Sequence, residues 1–291
     1  MRIIVTGATG FLGWRAATLL TEAGHDVLAV SRPHGARRAH SSDLVTTEAD
    51  AGGAAARDLI RGRDAVLHFA GVPDPARALT DPARAVRENV GTTLNLLTGC
   101  AEHSAALIYP STVRAAAEPP PDPYALSKWL GEQACLRHPA PATVVRISSA
   151  YGPGQVAWEG ATGAIAAFAA RALDGAPIVI AGESRRTRDF VYADDVIDAL
   201  DAIITQGRWN ETITLASGVA TPLQEAAELV REATGSDSVI QTPGGELPDG
   251  ENESYVAAPT PPELGCPRPL AEGVASYVAW INRHPAAQGR A

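Results

Sequence analysis

The stretch TGATGFLG, Thr6 to Gly13, limits the fold more than any other part of the chain. It follows directly on Arg2-Ile3-Ile4-Val5, which reads as a strand, and it opens a helical pattern that ends near Gly24. Glycines at 7, 10 and 13 permit a tight turn, let backbone N–H groups approach a pyrophosphate, and allow the helix to pack closely. The helix N-terminus adds a favourable field for an anion. Strand, glycine turn and helix in this order predict a dinucleotide site rather than a purely structural turn. Its candidate contacts are Gly7, Thr9, Gly10, Phe11, Leu12 and Gly13.

The alternation continues through the first half. Short β-like runs at Ile3–Val5, Val27–Val30, Leu44–Thr46, Ala65–Phe69, Leu107–Tyr109 and Thr143–Ile147 are separated by helical patterns, among them a long one from Pro82 to His103. Parallel strands joined by right-handed crossovers satisfy that order, so the expected class is α/β, a doubly wound parallel-sheet Rossmann domain. After Tyr151 the rhythm changes at Gly152-Pro153-Gly154. A helix at Ala161–Leu173, a short strand at Ile178–Ile180, and helices near Asp195–Ile204, Pro222–Ala233 and Leu270–Arg283 follow. The expected division is a dinucleotide-binding domain over 1–150 and a smaller, mixed substrate lobe over 151–291, some segments of which return to the first domain. Pro/Gly-rich connections at 242–250 and 258–269 read as surface loops.

The end of the second strand bears on which dinucleotide binds. An NAD site commonly carries an acid there for the ribose 2′-OH. Here the strand ends Val30-Ser31-Arg32, and Ser31 with Arg32 suits a 2′-phosphate, so NADP(H) is preferred and NAD(H) remains possible. The alternative is that Arg32 and its neighbours Arg37 and Arg38 are solvated loop charges. Asp50, beyond the third strand, is a candidate acceptor for the adenine amino group.

Composition removes several function classes. A formal net charge of −9 with no lysine-rich block disfavours a nucleic-acid surface, while leaving local basic pockets such as Arg32/Arg37/Arg38 and Arg185/Arg186/Arg188. Cys100, Cys135 and Cys266 have neither disulfide nor metal-ligand spacing, so no metal is expected. The Ala-rich stretch at 164–170 is too short to span a bilayer, and the N-terminus runs straight into a strand; no membrane association and a cytoplasmic location are expected.

DPYALSK, Asp122 to Lys128, reads locally as a helix start: Asp122 caps, Pro123 takes the first position, and Tyr124 and Lys128 share a face four residues apart. In context it means more. The ordered motifs TGATGFLG, AVLHFAG (65–71), ENVGTTLNLL (88–97), YALSK (124–128), RISSAYGPG (146–154), RDFVYADDV (188–196) and ITLASG (213–218) together resemble the extended short-chain dehydrogenase/reductase family, in its NAD(P)-dependent epimerase/dehydratase branch.

The resemblance implies that Tyr124 exchanges a proton with the substrate oxygen, that Lys128 binds the nicotinamide ribose and lowers the tyrosine pKa, and that Thr112, beside Ser111, binds that oxygen. Ala70 joins the implied cofactor contacts, together with Tyr124 and Lys128. A charge about 4 Å away at an effective dielectric near 20 is worth about 4 kcal/mol, or roughly three pKa units. Ser149 stands where relatives often place a substrate-binding Asn, and Arg188 matches a position that contacts a diphosphate, unless it pairs with Asp189 or Asp194. Dehydratases and decarboxylases of the family carry an acid shortly after the active-site Ser/Thr, whereas here Thr112 is followed by Val113-Arg114. The expectation is therefore an NADP(H)-dependent reductase of a nucleotide-activated keto-sugar, with a nucleotide-sugar epimerase as the alternative. Reduction of a non-sugar carbonyl and a silent dinucleotide sensor are the remaining readings. The resemblance also implies a homodimer through the segments near Pro82–His103 and Tyr124–His138.

Overall fold

The computed structural model describes residues 1–33, 41–158, 163–246 and 254–284. Arg37, Arg38, the start of the helix expected from Ala161, and part of the 242–250 connection lie outside the described residues.

Seven parallel strands form the central sheet. In chain order they are β1 (Arg2–Thr6), β2 (Asp26–Ser31), β3 (Thr47–Glu48), β4 (Ala65–His68), β5 (Ala106–Thr112), β6 (Ala142–Ile147) and, after four short strands outside this sheet, β11 (Thr212–Leu215). Their spatial order is β11-β6-β5-β4-β1-β2-β3. Every pairing is parallel. The strand expected at Leu44–Thr46 falls slightly later, at Thr47–Glu48, where it pairs with Val30 and Ser31.

The strands read as nearly continuous apolar runs because both faces are covered. Ile3, Val5, Leu67, Ile108 and Val145 point to one side, against α1 (Phe11–Glu22) and α8 (Ala193–Gln206). Their neighbours Ile4, Val66, Leu107, Tyr109 and Val144 point to the other. There they meet α2 (Ala54–Asp58), α5 (Thr92–His103) and α6 (Pro123–Arg137). This period-two division builds a doubly wound sheet with two cores.

Between β4 and β5 run α3 (Pro75–Thr80), α4 (Pro82–Val86) and α5. The helix expected over Pro82–His103 is continuous, but Arg87–Gly91 forms a π-helical turn between α4 and α5. That extra loop of backbone turns Asn89 inward and leaves Glu88 facing the cleft.

A further apolar core gathers residues that follow β6. It is built from β7 (Ser149–Tyr151), α7 (Ala164–Leu173), β8 (Ile178–Ala181), β9 (Thr187–Arg188), β10 (Phe190–Tyr192), β12 (Thr221–Pro222), α9 (Leu223–Thr234), β13 (Ile240–Gly244) and α10 (Leu270–Arg283). Tyr151, Phe190, Tyr192 and Tyr277 pack edge-on within it. Two ion pairs brace α8 from both sides, Arg15 with Asp194 at 2.6 Å and Arg268 with Asp195 at 2.7 Å. Among the described residues, no helix is long and apolar enough to cross a membrane.

Candidate active site

A cleft of about 1370 Å³ opens at the carboxyl ends of β1 and β4, where the strand order reverses. Its floor is the glycine turn. Gly7 has φ +67°, and a Cβ there would lie 2.7 Å from the Phe69 carbonyl carbon and the Ala70 nitrogen. A Cβ on Gly13 would lie 2.2 Å from the Gly7 oxygen. Only glycine fits at either place. Gly10 begins α1 without a side-chain cap, so the first-turn amides keep their donors for an anion. Thr9, Phe11, Leu12 and Ala70 line the same wall. The residues present thus fit a dinucleotide.

A buried hydrogen-bond chain holds the two central strand ends together. The Ala70 N–H donates to Thr6 Oγ1 at 3.2 Å, that hydroxyl meets His68 Nδ1 at 2.9 Å, and His68 Nε2 meets Thr92 Oγ1 at 3.1 Å. Burial, and next the charge of Lys128, push the His68 imidazole down to about 3.

At the end of β2, Ser31 is buried and donates to Thr46 Oγ1 at 3.0 Å, whereas Arg32 is exposed and meets Glu88 Oε2 at 3.1 Å. Glu88 is shared, since Arg84 Nε donates to its other oxygen at 2.7 Å. Asp50 lines the cleft and accepts the Gly52 N–H at 3.0 Å.

Thr112, Tyr124 and Lys128 all line this cleft. Asp122 caps α6 by accepting the Ala125 N–H at 2.9 Å, with Pro123 in the first turn. Tyr124 is half-buried against Val72, Ala78 and Ala85. Lys128 Nζ donates to the Pro110 carbonyl at 2.9 Å and lies 4.9 Å from the Tyr109 ring centre.

The electrostatics differ from the sequence-based expectation. Burial pushes the Tyr124 phenol up, and the leading charge pulling it back is the Arg114 guanidinium rather than the Lys128 ammonium. Lys128 is itself pushed down to about 8 by burial, against the raising effects of Cys135 and Glu132.

The proposed substrate contacts divide into two pairs. Ser111 and Thr112 are on the cleft, but Ser111 donates to the buried Glu132 at 2.5 Å, which Arg146 also holds at 2.6 Å. Ser149 and Arg188 lie off its lining. Tyr255 covers both: its phenol is hydrogen-bonded to Ser149 Oγ, and the Arg188 guanidinium lies 5.3 Å from its ring centre. Asp194 is taken by Arg15. Asp189 is fully buried and accepts Ser217 N–H and Oγ–H at 2.8 Å, Gly218 N–H at 3.0 Å and Ala257 N–H at 3.2 Å. The basic cluster at 185–188 also separates, because Arg186 turns inward to the Ala181 and Glu183 carbonyls while Arg185 stays exposed.

Glu88, Arg114 and Tyr255 were not identified from the sequence as site residues. Glu88 opens the run ENVGTTLNLL, and nothing in its local pattern marks it for the cleft. Tyr255 had none, because it reaches Ser149 from 106 positions away.

Known proteins share this fold and align with most of the sequence. The chain is 29% identical to a dTDP-glucose 4,6-dehydratase of Streptomyces griseus, across 97% of this chain and 94% of that protein. It is 25% identical to a UDP-N-acetyl-alpha-D-glucosaminuronate decarboxylase of Bacillus cytotoxicus, across 82% of each. Its fold superposes on the crystal structure of a UDP-glucose 4-epimerase of Thermotoga maritima with a TM-score of 0.87 and 25% identity, covering 98% and 100% of the two chains. Residues 3–216 match the family model of the NAD dependent epimerase/dehydratase family, and the chain belongs to that family, as an enzyme of the extended short-chain dehydrogenase/reductase type.

Proposed function

We propose that this enzyme is an NADP(H)-dependent reductase of a keto group on a nucleotide-activated sugar. The observation that carries the reading is the company kept by Thr112. Tyr124 and Lys128 share its cleft, and the side chain two residues beyond it is an arginine held by Asp122 rather than a second acid. Elimination of water or carbon dioxide needs a further group to move a proton or hold a carboxylate, whereas reduction needs only one proton donor beside a hydride source. Nucleotide sugars are named for the dehydratase, decarboxylase and epimerase that this chain resembles, which supports that substrate class.

Bound nicotinamide supplies the hydride. Thr112 hydrogen-bonds the carbonyl oxygen, Lys128 anchors the ribose beside it, and Tyr124 gives its phenolic proton to that oxygen as the carbon is reduced. Arg32 supports NADP: its pair with Glu88 is exposed, an arrangement worth at most about 1 kcal/mol, so a 2′-phosphate can displace the carboxylate. Asp50 is suited to the adenine amino group. The leucines exposed along α5 and α6 support a homodimer.

The likeness to a UDP-glucose 4-epimerase over almost the whole of both chains favours a second reading, epimerisation through a transient keto-sugar. Net consumption separates the two. A reductase oxidises one NADPH for every keto-sugar reduced, whereas an epimerase shows no net oxidation and retains its cofactor through purification. Tyr124→Phe is expected to abolish turnover while preserving NADPH binding, and Arg32→Ala to lower kcat/KM for NADPH about tenfold with little effect on NADH. Near-normal turnover by the Tyr124 variant would remove the assignment.

A further inference from the structure

One side chain ties the Thr112 turn to the helix that carries Tyr124. The Arg114 backbone N–H donates to Thr112 Oγ1 at 3.3 Å, and its guanidinium donates to Asp122. Asp122 uses its other oxygen to cap α6, two residues before Tyr124. The two side chains are only 14% and 8% exposed, so the pair is mostly out of water, and removing one partner leaves the other charge uncompensated. Arg114 Nε is buried with no hydrogen-bond partner. Local hydrogen bonding therefore does not account for all of this cation, and such groups call for another reason to be present.

Charged and titratable groups face Tyr124 from several elements. Arg114 stands on the turn after β5, Asp122 at the cap of α6, Asp74 ahead of α3, Tyr255 in the C-terminal segment, and Lys128 one turn further along α6. The contacts from α3 and α4, Ala78 and Ala85, are apolar. The two carboxylates oppose ionisation of the phenol and Arg114 favours it.

We propose that Arg114 is a positioning residue for the proton transfer: through Asp122 it fixes the Thr112 turn against the start of α6, and it holds a guanidinium at the cap two residues before Tyr124. As the hydride reaches the carbonyl carbon, the Tyr124 O–H bond breaks, the proton bonds to the substrate oxygen, and the electron pair stays on the phenolate that the guanidinium stabilises. This rests on the reading of Tyr124 as the proton-transfer residue.

The test is the pH profile of kcat in three variants beside the wild type, with NADPH affinity and thermal unfolding measured in parallel. Arg114→Gln removes the cation and leaves Asp122 facing the phenol. It is expected to lower kcat about tenfold and to move the tyrosine limb of the profile about one pH unit to the alkaline side, with NADPH affinity unchanged. Arg114→Lys is expected to restore most of that position. Asp122→Asn keeps a competent helix cap and removes an opposing charge, so its limb moves to the acid side. A purely packing role gives no such pair of opposite shifts. Should Arg114→Gln fail to fold, the direction in Asp122→Asn decides. Limbs that superimpose on the wild type in the variants that fold overturn the inference. Tyr124→Phe tells the two failures apart: if it still turns over, the reading of Tyr124 is wrong and the role of Arg114 falls with it.

Discussion

His68 is 1% exposed and held between two threonine hydroxyls, so protonating it places a charge in an apolar core and forces the Thr6 hydroxyl to turn from donor to acceptor. Its folded pKa, about 3, lies below the ordinary value of 6.5. The unfolded chain therefore binds the proton more readily, and the stability this histidine contributes is fully present above pH 6.5 and lost as pH falls toward 3. Linkage makes the loss about 3 kcal/mol between pH 6.5 and 4. In urea unfolding, wild type minus His68→Asn should shrink by about that amount over this interval. A difference independent of pH would mean that the imidazole titrates normally in the folded protein.

Helix α6 shows how an element can be legible while its working parts are not. Asp122, Pro123 and the spacing of Tyr124 and Lys128 announce its start, and TGATGFLG announces the other wall, because both depend on local backbone rules. Glu88 and Tyr255 depend on contacts 56 and 106 positions away, Glu88 also on a π-helical turn that no hydrophobic period reveals, and Arg114 on an irregular turn that brings it back to Asp122. The charge of Arg114 on Tyr124 is hidden in the sequence too, since i,i+4 proximity is visible there and a turn folding back from β5 is not. Gly131, in the middle of α6, records another such contact. A Cβ there would lie 2.2 Å from Tyr109 Oη, and Tyr109 is the buried ring beneath Lys128. Alanine gains about 1 kcal/mol in helix propensity, but overpacking a rigid core costs about 1–3 kcal/mol. Gly131→Ala should therefore lower Tm by a few degrees and weaken NADPH binding through a displaced Lys128. A rise in Tm would show that Tyr109 yields freely.

At the scale of the whole molecule, α6 is apolar on two sides. Ala125 and Cys135 enter the core, while Leu126 and Leu136 are 41% and 47% exposed. Leu94 on the adjoining α5 and Leu79 on α3 are 44% and 41% exposed. An isolated exposed leucine is ordinary, but four on neighbouring elements make a face suited to a second copy. The cleft and this face are then two sides of one helix, so a second copy docked there would stiffen the element that carries Tyr124 and Lys128. A stable pair buries about 800 Å² from each chain, enough for three helices to meet their symmetry mates. Light scattering at micromolar concentration should give twice the chain mass, and Leu94→Glu with Leu126→Glu should give a monomer of lower Tm and lower kcat. A wild-type monomer removes the dimer; a monomeric variant with full kcat shows instead that α6 holds its side chains in place unaided.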